Sequence, residues 1–383
     1  MSDKPGLNGD SGPIASTASR QQPRPPSSIA HDGDVEARSS IYADNDDTVV
    51  STTRVDITYA PADLGLTFSG GYLVDTISTA SVDVISAATR RWRETRHQGA
   101  VGLGVEHDQW AGGIGYQFSD ENDWTSHTIS ASISRDFFMR NTNLALGYGF
   151  VDNAIYRADD DNFEDTLKTH SLNLSLSQVL GRRTNSRFTT FIMFNEGRQS
   201  SVYRYVPVGG PELGRPHPEL GLCIFADSCP LERHPRSRTR YGLQGAIIHA
   251  LKREKPSSLR FDYRFYNDSW WVMSHVFEVT HRMDLTRRFQ LRSGIRAYYQ
   301  REAYFYKAHY IDPLKYMSLD RELSRFGHVT AGNKISYKIK RSGPFDDLRI
   351  DAKVDLFFFK FLNFAPLPYR LGGVFELGVR GQF

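Results

Sequence analysis

The sequence predicts an all-β fold: a closed antiparallel transmembrane β-barrel of about 16 strands, with 14 or 18 as the alternatives. Three observations predict it. Apolar and polar residues alternate with period two in one segment after another, the strand signal rather than the helix signal. The 383 residues contain 19 Tyr, 24 Phe and 5 Trp against 2 Cys and 6 Met, the aromatic excess that interfacial girdles require. Short and long connections alternate along the chain, as they do where short turns at one membrane face answer longer loops at the other. A mean hydropathy of -0.46 does not contradict this, because a barrel strand shows lipid only every second residue. No run approaches the roughly 18 to 20 apolar residues of a spanning helix. The net charge of +3 is spread along the chain and leaves no nucleic-acid footprint.

Residues 1–33 are rich in Ser, Pro, Gly and Gln and hold no apolar run, so they are expected to form a disordered tail before a barrel at 34–383. They also lack the cationic start and the apolar stretch of about 7 to 15 residues that an export leader has. The segment Asp34–Tyr42, with Val35, Ala37, Ser39 and Ile41 on one face, supplies the first strand. Val55, Ile57 and Tyr59 then alternate with Arg54, Asp56 and Thr58, and Leu172, Leu174 and Leu176 with Asn173 and Ser175. Leu259, Phe261, Tyr263 and Phe265 alternate with Arg260, Asp262 and Arg264, a charged row too costly to bury in a dry core and suited to a wet lumen. Leu348, Ile350, Ala352, Val354 and Leu356 alternate in the same way with Arg349, Asp351, Lys353 and Asp355. In the last segment Tyr369, Leu371, Phe375, Leu377, Val379 and Phe383 share one face, while Arg370, Glu376 and Arg380 lie on the other and are read as lumen-facing. A terminal aromatic preceded by Phe375, Leu377 and Val379 resembles the C-terminal signal by which outer-membrane barrels reach their assembly machinery.

Parity requires an even count. The last strand and the strand near residues 48 to 60 both descend, and a bacterial single-chain barrel has an even number, so the Asp34–Tyr42 segment must be an additional ascending strand. Short turns are expected near Pro61, Asp108, Asn141, Arg182, Lys255, Thr286 and Gly343, and long loops at about 77–91, 153–166, 201–238 and 301–325.

The order YADNDD, VYRYV, ERHPRSRTRYGL, LRFDYRFYNDSW, AYYQREAYFY and SLDRELSRFGH, over roughly residues 40–383, resembles an uncharacterised family of bacterial outer-membrane proteins catalogued as a domain of unknown function. The resemblance implies an outer-membrane barrel without an established activity. The Cys-containing insertion at 201–238 departs from it.

Little in the sequence carries chemistry. Cys223 and Cys229 stand in a Pro- and Gly-rich loop with no further ligands nearby, which favours a disulfide over a metal site. The acidic run from Asp159 to Asp165 lacks EF-hand spacing. Glu232, Arg233, Arg236, Arg238 and Arg240 are read either as a basic mouth for anions or as arginines paired with neighbouring carboxylates and lipid phosphates. Ser274 and His275 are adjacent on a strand and face opposite sides, so no hydrolase triad is supported, and no cofactor is expected. The reading favoured is an outer-membrane channel, or the pore component of an envelope export assembly, with the 201–238 loop as constriction or lid. A plugged docking barrel for envelope redox or polysaccharide-export partners is the alternative, and a loop-borne enzyme ranks third. The expected partners are outer-membrane lipid, lipopolysaccharide, the assembly machinery and a periplasmic protein or lipoprotein.

Overall fold

The computed structural model describes residues 33–61, 64–79, 92–212, 222–252, 254–342 and 345–383, so the expected tail lies outside the described residues apart from Gly33. Sixteen strands follow one another in the chain: β1 (Gly33–Asp44), β2 (Thr48–Tyr59), β3 (Leu66–Thr79), β4 (Trp92–His107), β5 (Trp110–Glu121), β6 (Trp124–Phe137), β7 (Thr142–Tyr156) and β8 (Glu164–Gly181). The second half comprises β9 (Thr184–Gly197), β10 (Ser237–Ala250), β11 (Ser257–Asp268), β12 (Met273–Asp284), β13 (Phe289–Gln300), β14 (Phe326–Ser342), β15 (Phe345–Phe361) and β16 (Tyr369–Gln382). Each strand pairs antiparallel with its sequence neighbours, and β1 pairs with β16 from Asp34↔Gln382 to Asp44↔Gly372, which closes the barrel. The predicted fold and strand count are borne out, including the first strand that parity demanded. Closure leaves no row of unpaired backbone groups, the condition for a sheet to cross lipid.

Period two decides which side chain faces where. Along β8, Leu172, Leu174 and Leu176 are 43, 42 and 40% exposed, while Ser171 between them and the tip is buried. Along β15 the outward row is Ile350, Val354, Leu356 and Phe358, and the inward row runs Asp351, Lys353, Asp355, Phe357, Phe359 and Phe361. An apolar band on the outside of a complete ring is far larger than the patches soluble monomers leave in water, and it is stable only against lipid.

The connections at the end holding Gly33 and Phe383 are all short, at 60–65, 108–109, 138–141, 182–183, 251–256, 285–288 and 343–344. At the opposite end, taken as outer, the strict alternation of lengths read from the sequence does not hold: 45–47, 122–123 and 269–272 are tight turns between the long loops. Asp and Asn explain the first. The Asp44 carboxylate accepts the Asp46 and Thr48 backbone N–H groups at 2.9 and 3.2 Å, a side-chain turn that needs no glycine.

The seam ends on Phe383. Its carbonyl accepts the Gly33 N–H at 2.8 Å, its own N–H donates to the Gly33 carbonyl at 3.0 Å, and its ring lies against Phe345 at 6.3 Å between centroids. A Cβ at Gly33 would stand 2.2 Å from that ring, so the glycine makes room for it. Phe383→Ala and Gly33→Val are therefore expected to lower the yield of heat-modifiable barrel on unboiled gels, with the valine no better tolerated than the alanine. Wild-type yield from both would contradict a role for this contact in closing the seam.

Candidate functional site

Two zones follow from the inward rows. Toward the inner end the wall is charged and paired: Arg260–Asp262 at 2.6 Å, Arg296–Glu278 at 2.8 Å, Lys334–Asp351 at 2.8 Å, Lys353–Asp355 at 2.5 Å and Arg380–Asp34 at 2.7 Å. Arg38 bonds Glu36 and reaches Glu376 at 3.5 Å. Arg264 stands opposite Gln244, and Arg349 opposite Arg380. On each strand these residues share the row opposite the exposed apolar one, and the structure joins most of them into ion pairs between neighbours.

Toward the outer end the wall turns aromatic on the side of β1, β14 and β15, with Tyr42, Phe326, Phe357, Phe359 and Phe361, while β3, β4, β10 and β11 keep the charged Asp75, Glu94, Arg238 and Asp268 there. Arg370 stands among these rings, 1% exposed, its guanidinium 4.3 Å over the Phe359 ring and 4.0 Å from both Asp44 and Glu322. The long connections after β9 and β13 fold inward onto this zone. Val206, Val208, Phe305, Tyr310, Met317 and Leu319 are buried there against Tyr42, Val50, Phe326, Phe357 and Phe359 of the wall.

Backbone hydrogen bonds lock the two loops to each other. Arg233 and Met317 exchange N–H···O bonds of 2.9 Å in both directions, and the Gly209 N–H donates to the Tyr310 carbonyl at 2.8 Å. The chain can turn there because Gly209 and Gly210 have φ of +72° and +71°, where a Cβ would strike Asp227 and the Phe225 carbonyl at 2.0 and 2.1 Å. The Tyr310 hydroxyl donates toward the Phe305 and Ser318 carbonyls at 2.9 and 3.2 Å and accepts the Ser318 N–H at 3.0 Å.

A buried ionic centre lies between the loops. Glu232 accepts Arg204 Nη1 at 3.2 and 3.4 Å, the Ser201 N–H at 2.6 Å and the Ser318 hydroxyl at 3.0 Å, with His234 Nε2 at 3.5 Å. Asp320 adds a second carboxylate 3.4 Å from Arg204. Burial alone would raise the Glu232 pKa, but Arg204, His234 and the Ser201 N–H override it and hold the group at about 2.

The plug reaches the wall on opposite sides. On one, Arg321, in a 3-10 turn at Arg321–Leu323, is hydrogen-bonded to Asp46 of the first outer turn, and the Tyr306 hydroxyl donates to the Asn363 carbonyl at 3.2 Å. On the other, Tyr203 accepts the Ala158 N–H at 2.8 Å and contacts Asp123, and burial pushes its hydroxyl up to about 12. The described residues of the two loops therefore bridge the outer mouth from wall to wall.

The remaining sequence-marked groups fall around this plug. A disulfide joins Cys223 and Cys229 across a Cα separation of 5.9 Å. The acidic and basic runs largely neutralise each other: Asp165 takes Arg236 at 2.7 Å and Arg198 at 3.6 Å, Asp159 takes Arg157 at 2.8 Å, and Asp268 takes Arg238. Ser274 is buried on the inner face, whereas His275 points outward with its Nδ1 2.9 Å from the Tyr263 hydroxyl. One grouping escaped the sequence reading. Glu94, Glu121 and Asp123 offer ligand oxygens within 4.8 Å of one another, a set able to hold a cation, with Arg96 3.8 Å from Glu121. These residues come from two strands and a turn, and no spacing motif announces them.

Residues 86–163 and 153–358 match the family described as protein of unknown function DUF3570. The chain belongs to this family. No curated protein matches it. Among solved structures, this DUF3570 barrel is similar to a bacterial polysaccharide outer membrane secretin, with TM-score 0.48 and 9% identity over 93% of this chain and 100% of the other. It is also similar to OmpT, an outer-membrane protein of Vibrio cholerae, with TM-score 0.45 and 10% identity over 92% and 97% of the two chains. Its similarity to the CymD monoaromatic hydrocarbon channel has TM-score 0.43 and 8% identity over 93% and 89%.

Proposed function

We propose that this DUF3570 protein is a gated conduit of the bacterial outer membrane: a polar lumen, open toward the periplasm and closed at the outer mouth by its own loops. The observation that carries this reading is the aromatic seat that β1, β14 and β15 add to a charged inner wall at the level where the plug sits. A barrel meant to be solid needs no wetted charged wall below its plug, and an open porin needs no aromatic seat for one. Sixteen strands leave an aqueous passage when nothing fills it. Movement of a hydrophilic solute or polymer fits such a lumen, with a periplasmic protein or lipoprotein as the partner that would displace the plug from within. Purified protein in planar bilayers should be silent or flicker briefly at rest. Large, sustained ohmic steps from the intact chain would overturn the closed resting state.

The docking-barrel reading has one observation in its favour. The Arg321–Asp46 contact is buried on both sides, the mark of a plug built to stay. Removal of the plug separates the two readings.

A further inference from the structure

Four hydrogen bonds on the outside of the barrel share one geometry: Tyr72–His97, Tyr116–His127 and Tyr148–His170 at 2.8 Å, and Tyr263–His275 at 2.9 Å, each between the hydroxyl and Nδ1. In each, the tyrosine is on the strand rising to an outer connection. The histidine is on the next strand, opposite the residue two places farther out: Val74, Phe118, Phe150 or Phe265. The ladder from Tyr72 through Gly99 leads to Phe118, two residues outward of Tyr116, and from Tyr116 through Ile129 to Phe150, two outward of Tyr148. The same step, taken twice more, arrives at Tyr263. Because strands tilt in a barrel, this regular step offsets the climb of the ladder and sets the four pairs at one level. Inward of that level the outward row is apolar, with Ile114, Ile129, Leu146 and Phe277 exposed. Outward of it stand Asp120, Asp152 and Lys168. The pairs mark the outer boundary of the apolar band, where lipid headgroups begin.

An imidazole whose Nδ1 is engaged has Nε2 left for a ligand from that headgroup zone. Neighbouring charge decides which of the four suits an anion. Asp120 lies directly opposite His97 and Asp152 opposite His127, while the carboxylates of Asp152 and Glu196 flank Lys168 just outward of His170. His275 differs: its opposite neighbours are Phe265 and Tyr299. The next outward position beside it is Arg301, whose N–H donates to the Met273 carbonyl at 2.9 Å. The adjacent carboxylate, Glu302, is committed to Arg325 through two bonds of 2.7 Å. Above them Trp271 and Tyr304, 65 and 46% exposed, stand with ring centroids 5.6 Å apart.

We infer that this sector docks the phosphorylated headgroup of an outer-leaflet lipid. His275 Nε2 and the Arg301 guanidinium take phosphate oxygens, Tyr263 and Tyr299 lie at the level of the headgroup sugar, and Phe277 meets the first methylenes of the acyl chains. The inference rests on the membrane reading above. Native mass spectrometry of the detergent-solubilised full chain tests it, using bisphosphorylated lipid A and the same lipid after enzymatic dephosphorylation. The wild type should retain the phosphorylated form about tenfold more strongly, one charge-assisted hydrogen bond or more in affinity. The double variant His275→Gln/Arg301→Gln should remove that preference, and His97→Gln/His127→Gln should keep it, both remaining heat-modifiable. Equal retention of the two lipids, an unchanged preference in the first variant, or an equal loss in the second overturns the site. Failure of the site alone leaves the barrel dependent on detergent; a chain soluble without detergent overturns the membrane reading itself.

Discussion

Excising residues 200–235 and 303–323 together, each replaced by a short Gly-Ser turn, is expected to convert a silent barrel into one with sustained ohmic steps. The excision removes both partners of the Arg204–Glu232 pair, leaves Asp46, which loses Arg321, facing the opened mouth, and keeps all sixteen strands and their ladders intact. Either excision alone should raise conductance less, because the Arg233–Met317 and Gly209–Tyr310 bonds show each loop leaning on the other and neither spanning the mouth by itself. Planar-bilayer recording decides the matter. Silence of a double excision that remains heat-modifiable would remove the channel reading and leave the docking barrel, whose periplasmic face would then be the place to look for a partner.

The second large effect is expected at Glu232. Glu232→Ala strands the buried Arg204 beside Asp320 alone and leaves the Ser201 N–H and Ser318 hydroxyl without their acceptor, a loss of about 3–5 kcal/mol by analogy with other broken buried pairs. The loss should fall on the plug rather than on the barrel, since none of these groups lies in a strand. Limited proteolysis should cut the loops of the variant while unboiled gels still show a folded barrel. Protection equal to wild type would show that the ionic centre does not hold the plug. The pH dependence has a definite sign. A carboxyl at about 2 in the folded chain against an ordinary 4.5 contributes stability that is complete above the ordinary value and fades as pH falls toward 2. The plug of the wild type should therefore resist proteolysis at neutral and mildly acidic pH and loosen only in strong acid, while Glu232→Gln should lose that dependence.

Strands and their facing were legible because period two is a property of the backbone itself, repeated in every segment. Even β1, with only Val35, Ala37, Ser39 and Ile41 to mark it, was recoverable once the count had to be even. The plug was not legible, because irregular loops carry no period and their burial depends on partners far away in the chain. One trace of it was present. In Leu356–Phe357–Phe358–Phe359 the alternation fails and both faces become apolar, and the structure places Phe357 and Phe359 on the inner wall beneath the plug. The long loop at 201–238 is legible as a lid candidate, whereas nothing beyond length marks its partner at 301–325. The Glu94, Glu121 and Asp123 grouping shows the same limit, since its members meet only once the outer ends of β4 and β5 lie side by side.

The contact between Arg321 and Asp46 spans 275 positions of the chain. A pairing so remote in sequence is entropically costly until the first and last hairpins have met around the ring, so the expected order during biogenesis is strands first, then closure of β1 on β16, and then the seating of the loops. Intermediates caught before that moment would leave both loops open to protease on the outer side, and acquired resistance at those loops would time the completion of each molecule.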